Sequence, residues 1–385
     1  MDIAFHYFAI KALARFAGFE EREAQRIANF SQFIDDFNWI TYLNSKNIPA
    51  DIKSSKTLDL YVGNILTLTQ NFNPATTGFI GVVDMASLLL ERSQKFTVSP
   101  FHFVPPDRAR ASAHFRTAPA VVGDGSFISD ELIRARKQFL TNENRDANLM
   151  LIGMRLHTFA DTYAHQMFSG YDSWANDVTI ENVYDNLNHK DITAETLTAI
   201  DKIVKYLSKV WQKPFTALPC IGHMWAGHVP DLTHVEFTMS YKSTKTSGFD
   251  RTYSRSNTTE FIYAAKEILN YLRSLLHKGP LPVSEWDTFK EKLRRGFLFA
   301  LPSKNTETLL SQHWHEVFPE YSFEYDKSAI ESSFYIANQN ATAASVDGID
   351  ALGKNYSGEF YQYNVFADQM LVNLYGAQPR KSWFN

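Results

Sequence analysis

Apolar residues at Ile3, Phe5, Phe8, Ala9, Ala12, Leu13 and Phe16 recur every three to four positions and mark one face of a helix. Gly18 follows where a C-cap glycine belongs. Glu20, Glu21 and Glu23 load the start of a second helix, where negative charge suits the dipole, and the pattern predicts this helix to about Asp36. Residues 44–58 are polar, contain Pro49 and read as a loop, while 59–72 fit strand and helix equally. Thr77–Gln94 reads as a buried helix. Three prolines between Ser99 and Asp107 predict an ordered loop, followed by an irregular stretch over 108–128. Further helices are predicted from a Ser129 cap through Phe139 and from an Asp146 cap over Ala147–Phe168, which Ser169-Gly170 ends. Others cover Ala194–Gln212, Thr258–His277 and Ser284–Phe299, with a final one near Phe360–Leu374. The segment 213–235, with three prolines and two Gly-His pairs, reads as a structured loop. No set of alternating strands emerges, so the predicted fold is mainly α. A helical core over 1–278 and a helical and irregular extension over 279–385, packed on that core, are expected.

Composition narrows the function. The 385 residues are 44% apolar, enough for a large core. Lys+Arg 38 against Asp+Glu 42 gives a net charge of -4, so stable binding to nucleic-acid phosphates is not expected. The single cysteine, Cys220, excludes an intramolecular disulfide and a Cys-rich zinc site. The N-terminus lacks a basic region followed by an apolar run, so no secretory signal is predicted. Asp84 interrupts the least polar stretch, Thr77–Leu90, and a bilayer span needs ~20 apolar residues. The expected location is the cytoplasm, or outside it by a route without an N-terminal signal peptide.

The placement of the histidines says more than their number. His157, Asp161 and His165 are spaced i, i+4, i+8 within Asn148–Gly170, and a helix puts all three on one face. On an apolar helix such groups must be paired or bound, and neutral imidazoles with a carboxylate suit zinc. A hydrogen-bonded His–Asp pair tying helices together accounts for them equally well. His223, His228 and Asp231 fall in the Gly/Pro-stiffened loop Ile221–Asp231. His102 is flanked by Phe101 and Phe103 before Val104-Pro105-Pro106-Asp107, and His6 lies on the apolar side of the first helix. Asp35 and Asp36 stand between Ile34 and Phe37. Each feature alone has an ordinary structural explanation. One shared metal centre accounts for all of them together.

In this order the residues resemble the zinc-dependent phospholipase C and single-strand nuclease superfamily. His102-Phe103-Val104-Pro105-Pro106-Asp107 resembles its His-Phe-x-x-x-Asp stretch, and Leu156-His157-Thr158-Phe159-Ala160-Asp161 resembles its central helical motif. His165 follows the central Asp by four residues where the family has six, and His228 precedes Asp231 by three where it has four. The chain is also similar to a group of uncharacterised bacterial proteins sharing the D-x-x-FHY start, the LHTFADTYAHQ helix and the GHxxxGHxPD loop. The superfamily resemblance implies a multi-helix bundle around two or three zinc ions that activate water for phosphodiester hydrolysis, most simply of a phospholipid. It implies Met1, His6, Asp36, His102, His157, Asp161, His165, His223, His228 and Asp231 as candidate ligands, with Asp161 bridging. Asp35 then orients a ligand histidine, or else Asp35 or Asp36 acts as the general base. Tyr163, Trp225 and Phe103 are candidates to line the pocket, and Arg255, Asn257 and Tyr163 candidates to contact substrate. The alternatives are a non-catalytic metal- or lipid-binding effector on the same fold, or a nuclease for single strands. An HD-type phosphohydrolase ranks last, because no adjacent His-Asp pair occurs.

Overall fold

The first apolar stripe begins as a π-helical turn, Ala4–Ala9, and continues as α1 (Ile10–Ala17). Gly18 closes α1 in the left-handed conformation, φ 108°, as a C-cap glycine should. Phe5, Phe8, Ala12 and Leu13 on this stripe are fully buried. α2 (Glu21–Asp36) starts on its acidic turn and ends where predicted. This computed structural model describes residues 1–37, 77–78, 94–111, 115–214, 217–243, 250–299, 306–336 and 358–376. The expectations for 44–58, 59–72 and nearly all of Thr77–Gln94 lie outside those residues. Gln94–Val98 is π-helical and Ser99–Phe101 extends it as a helical turn, so the proline loop begins three residues later than predicted. Pro100 fits there because a first helical turn needs no proline N–H.

α3 (Phe127–Thr141) starts at Ser126 rather than Ser129. α4 (Arg145–Ala164) is capped by Asn144, whose side chain accepts from the Ala147 N–H at 3.1 Å, so Asp146 lies inside the helix. Every residue of α4 from Ala147 to Ala164 is buried, the pattern of a helix enclosed on all sides. Its polar members therefore need partners, and Arg155 Nε donates to Glu131 Oε2 on α3 at 3.1 Å. α5 (Thr193–Trp211), α6 (Asn257–Leu275), α7 (Val283–Phe297) and α8 (Thr306–Val317) follow. α4 packs on α3 and α6, and α1 packs on α6. Among the described residues no helix is long and apolar enough to cross a membrane.

The molecule is mainly helical, but it also holds an antiparallel sheet that the helical reading passes over. Its strands are β1 (Val178–Asp185), β2 (Lys190–Asp191), β3 (Val235–Tyr241) and β4 (Thr252–Ser256), in the order β2-β1-β3-β4. β3 alternates cleanly: Val235, Phe237, Met239 and Tyr241 are buried while Glu236 is exposed. Two units divide the chain: Met1–Gln32 with Leu88–Tyr325, and Phe33–Ser87 with Asp326–Asn385. α7 and α8 belong to the first unit. In the second, α9 (Lys327–Ile336) packs on α10 (Glu359–Tyr375). The buried Tyr363 shares a 2.7 Å hydrogen bond with the Thr77 hydroxyl and meets Phe33 and Phe37 edge-on.

α2 crosses α4 closely at Gly153. A Cβ there would lie 2.3 Å from the Ile27 carbonyl oxygen and 3.1 Å from the Ser31 nitrogen, both backbone atoms. Gly153→Ala should therefore force the two helices apart and destabilise the protein by about 2 kcal/mol despite alanine's better helix propensity. Denaturant unfolding of the variant, with midpoint and slope both fitted, checks this; an unchanged midpoint would refute the contact.

Candidate metal centre

Successive turns of α4 carry His157 and Asp161, and His165 is the residue that caps the helix. The helix stops four residues before the predicted Phe168. Beyond it the backbone turns away at Met167, φ 76°, and pairs with Thr117: the Met167 N–H donates to the Thr117 carbonyl and the Thr117 N–H to the Phe168 carbonyl. His165 is thereby turned toward the loop that carries His223 and Asp231.

His102 Nδ1, His157 Nε2 and Asp161 Oδ2 lie 3.2 Å from one another. Donors that share one ion at ~2.0–2.2 Å sit roughly 3.0–3.4 Å apart around a tetrahedral or octahedral centre. The donor set thus fits zinc in both atom type and spacing. The other carboxylate oxygen, Asp161 Oδ1, faces the Met1 amino nitrogen at 2.5 Å and His6 Nε2 at 3.0 Å. The His6 ring stacks on His157 with centroids 3.9 Å apart.

A second group gathers on Asp231. His165 Nε2 lies 3.0 Å from Asp231 Oδ1 and His223 Nε2 3.2 Å from Asp231 Oδ2. The Met1 nitrogen, 3.2 Å from Asp231 Oδ1, links the two groups. Backbone carbonyls fix both rings: His165 Nδ1 donates to the His102 carbonyl at 2.6 Å, and His223 Nδ1 donates to the Gly227 carbonyl at 2.7 Å. A carbonyl only accepts, so each Nδ1 holds the proton and each Nε2 is directed at Asp231, the usual support for a ligating histidine. The lone pair of His165 Nε2 therefore faces a carboxylate oxygen, an arrangement that calls for a cation between them.

Packing completes the frame. The Phe103 ring stacks on His165 at 4.3 Å and its tip leaves no room for a side chain at Gly222, where a Cβ would lie 2.7 Å away. The fully buried Asn176 donates to the carbonyls of Ser169, Tyr171 and Cys220 and accepts from the Ser169 N–H, so it braces the turn after α4 against the loop before His223.

Burial holds His157 and His165 at about 4 and His6 well below its ordinary value. Burial works against ionised Asp161 and Asp231, yet the histidines and the amine around them win and hold both carboxyls well below the usual range. His223 is raised: burial opposes its charge, but Asp231 and the Gly227 carbonyl outweigh it. At neutral pH the donors are thus ionised carboxylates and mostly neutral imidazoles, as ligation requires.

A pH dependence follows for protein treated with chelator. His6, His157 and His165 take up protons in the unfolded chain near 6.5 but resist them when folded, so stability falls as pH drops from 6.5 toward 4. The two carboxylates extend that loss below 3.8. His223 and Asp2, whose carboxyl burial pushes up to about 7, act in the opposite sense, adding stability on the acid side that is lost as pH rises through their folded values, but they are two groups against three. Melting temperature measured across this range should decline on acidification, and a flat or rising profile would contradict the assignment.

Some residues read from the sequence lie elsewhere. His228 is exposed, so the choice left open between the two Gly-His pairs falls on His223. Tyr163 is buried and its hydroxyl donates to the Ala120 carbonyl at 2.9 Å, a packing role instead of a substrate contact. Arg255 and Asn257 are buried and donate to backbone carbonyls, which replaces the expected phosphate contact. Trp225 is half-buried under Lys242, whose Nζ lies 4.6 Å from the ring centroid. Asp35 and Asp36 are not displaced in this way; both are half-buried at the end of α2. Sequence reasoning missed Asp2. Its Oδ1 accepts from the Ala4 N–H at 3.0 Å, and burial pushes its carboxyl up to about 7, opposed by the terminal amine and reinforced by Asp231. Its one signal was its position next to Met1.

The family model that matches, over residues 1–371, is described as a family of unknown function, DUF6765. No curated protein and no solved structure matches the chain.

Proposed function

The chain belongs to DUF6765, and since that membership carries no activity we propose one from its own residues: a metal-dependent phosphodiester hydrolase of the phospholipase C type, with zinc as the resident metal. The observation that supports this reading is the pair of donor groups centred on Asp161 and Asp231 and linked by His165 and the Met1 amine. Without a cysteine among the donors, imidazole and carboxylate favour zinc over thiolate-seeking metals. His102, His157 and Asp161 would hold one ion; His165, His223 and Asp231 would hold the other. The Met1 amine and His6, beside Asp161 Oδ1, are candidates for a third. Bound metal of this kind makes water nucleophilic at neutral pH and offsets charge on the phosphoryl and leaving oxygens.

The protein's own part is to orient and exclude. The His102 and Gly227 carbonyls keep the His165 and His223 protons on Nδ1, away from the reacting side. Phe103 and Phe168, flanking His165 and His223, keep bulk water from the rings. The side chains of His223 and Asp231 are 19% and 15% exposed against 0% and 1% for His157 and Asp161, so substrate would approach the Asp231 group. A net charge of -4 and abundant Phe and Tyr favour a lipid phosphodiester over a long nucleic-acid strand.

Metal analysis of untagged protein expressed with added zinc tests the reading first, and two or three equivalents per chain are expected. Protein free of transition metal would overturn it. The loaded protein is then assayed on phospholipids, single-stranded nucleic acid and nucleotides, with His157→Ala expected to lose both metal and turnover. Full hydrolysis by that variant would remove the catalytic assignment. The second reading, a structural metal in a non-catalytic protein, is favoured by the near-complete burial of His157 and Asp161. Two bound equivalents without turnover on any substrate would select it.

A further inference from the structure

We propose that Arg255 is a positioning residue that sets the separation of the two donor groups, acting with Asn257 as a clamp between the end of α4 and the Asp231 loop. The inference rests on the metal-centre reading and deepens it. Arg255 leaves β4 and Asn257 opens α6, so the sheet missing from the sequence reading delivers both. One face of the guanidinium reaches the helix: Nη1 donates to the Tyr163 carbonyl at 2.6 Å and Nη2 to the Ala164 carbonyl at 2.7 Å. Nη2 also donates to the Pro230 carbonyl at 2.8 Å, and Nε donates to Asn257 Oδ1 at 2.8 Å. Asn257 Nδ2 then donates to the carbonyls of Val229 and Leu232, at 2.8 and 2.7 Å.

The carbonyls so held immediately precede His165 on one side and bracket Asp231 on the other. A planar fork with fixed donor directions therefore defines the distance from His165 to Asp231, whose facing atoms are 3.0 Å apart. Neither clamp residue is among the donor groups. The cation also suits the negative end of α4, and the Phe237 ring lies 5.1 Å from the guanidinium carbon. Lysine cannot reproduce the fork, because it offers a point charge on a flexible stem.

The two sides differ in how firmly they are held without the clamp. α4 is enclosed along its length, so His157 and Asp161 keep their places. The 229–232 turn relies on backbone-directed bonds, and the clamp supplies three of them. Loosening it should therefore release the ion of the Asp231 group and leave the other.

The test compares wild type, Arg255→Lys and Asn257→Ala for zinc stoichiometry, for affinity by competition with a chelator, and for the visible spectrum of the cobalt-substituted protein. Circular dichroism and melting temperature report folding. Wild type is expected to hold at least two equivalents. Arg255→Lys should bind one equivalent at least tenfold more weakly while another keeps its affinity, and only part of the cobalt spectrum should change. Asn257→Ala should move the same way by a few-fold, and it decides the matter if Arg255→Lys does not fold. Variants that fold and keep every equivalent at wild-type affinity with an unchanged cobalt spectrum overturn the clamp alone. Uniform weakening of all equivalents also overturns it, since a general loss of structure has no side. A wild type without metal overturns the clamp together with the centre beneath it.

Discussion

On the proposed hydrolase reading, Asp161→Asn should strip the metal from the His102–His157 group and lower hydrolysis ~10²–10³-fold, with the fold kept. The substitution preserves shape, so packing around α4 changes little. What it removes is the one negative charge against which the Met1 amine, His6, His102 and His157 are arranged within 3.2 Å. It also replaces one accepting oxygen with an NH2 group that can only donate. Turned toward Oδ1, that group meets the Met1 amine; turned toward Oδ2, it meets the His102 and His157 nitrogens. Neither rotamer restores a ligand set. The second group shares His165, which keeps its Nε2 on Asp231, so part of that metal should survive. Metal analysis of the folded variant, set beside its turnover, checks both statements. A folded Asp161→Asn protein with full metal and full activity would remove Asp161 from the centre.

Glu131→Ala is the second large effect, on stability instead of chemistry. Arg155 and Glu131 are 3% and 2% exposed and join α4 to α3. Cutting one partner leaves a buried guanidinium without its carboxylate, a change that costs about 3–5 kcal/mol in comparable pairs. A loss of that size corresponds to a melting temperature lower by about 4–6 °C in a protein of this size. Arg134 also pairs with Glu131, but it is exposed and adds little. Replacing both partners, as Glu131→Leu with Arg155→Met, should recover most of the loss, because no unpaired charge then remains. Thermal unfolding of the single and double variants measures the difference. A double variant as unstable as the single would show that the pair is not the cause.

Those helices whose determinants are local were legible in advance. α1 and α2 are bounded by a stripe, a glycine and an acidic turn, all read from neighbours in sequence. The end of α4 was not, because Thr117 and Arg255 set it from distant segments. β3 was written in its alternation, but seven residues beside a proline-rich loop carry little weight against long helical runs. In the site, His102, His157, Asp161, His165, His223 and Asp231 were all on the candidate list. Choosing between His223 and His228 needed the Gly227 carbonyl, since both follow a glycine. Arg255 and Asn257 were misread for a physical reason: a cation and an amide in a polar stretch look the same whether they face a phosphate or the ends of two backbone segments. Asp2 was missed because an acid beside a terminus is ordinarily solvated.

The linkage of Met1 to Asp231 also has a consequence in time. At synthesis rates of ~5–20 residues per second, roughly ten to fifty seconds separate the making of His6 from that of Asp231. Through that interval His6, and later His102 and His157, exist in a chain whose second carboxylate has not been made. The full donor set can only close after residue 231, and the Arg255 bonds come later still. On the proposed reading, loading of both groups waits until residue 231 has been made, and a shorter nascent chain offers at most the His102, His157 and Asp161 set.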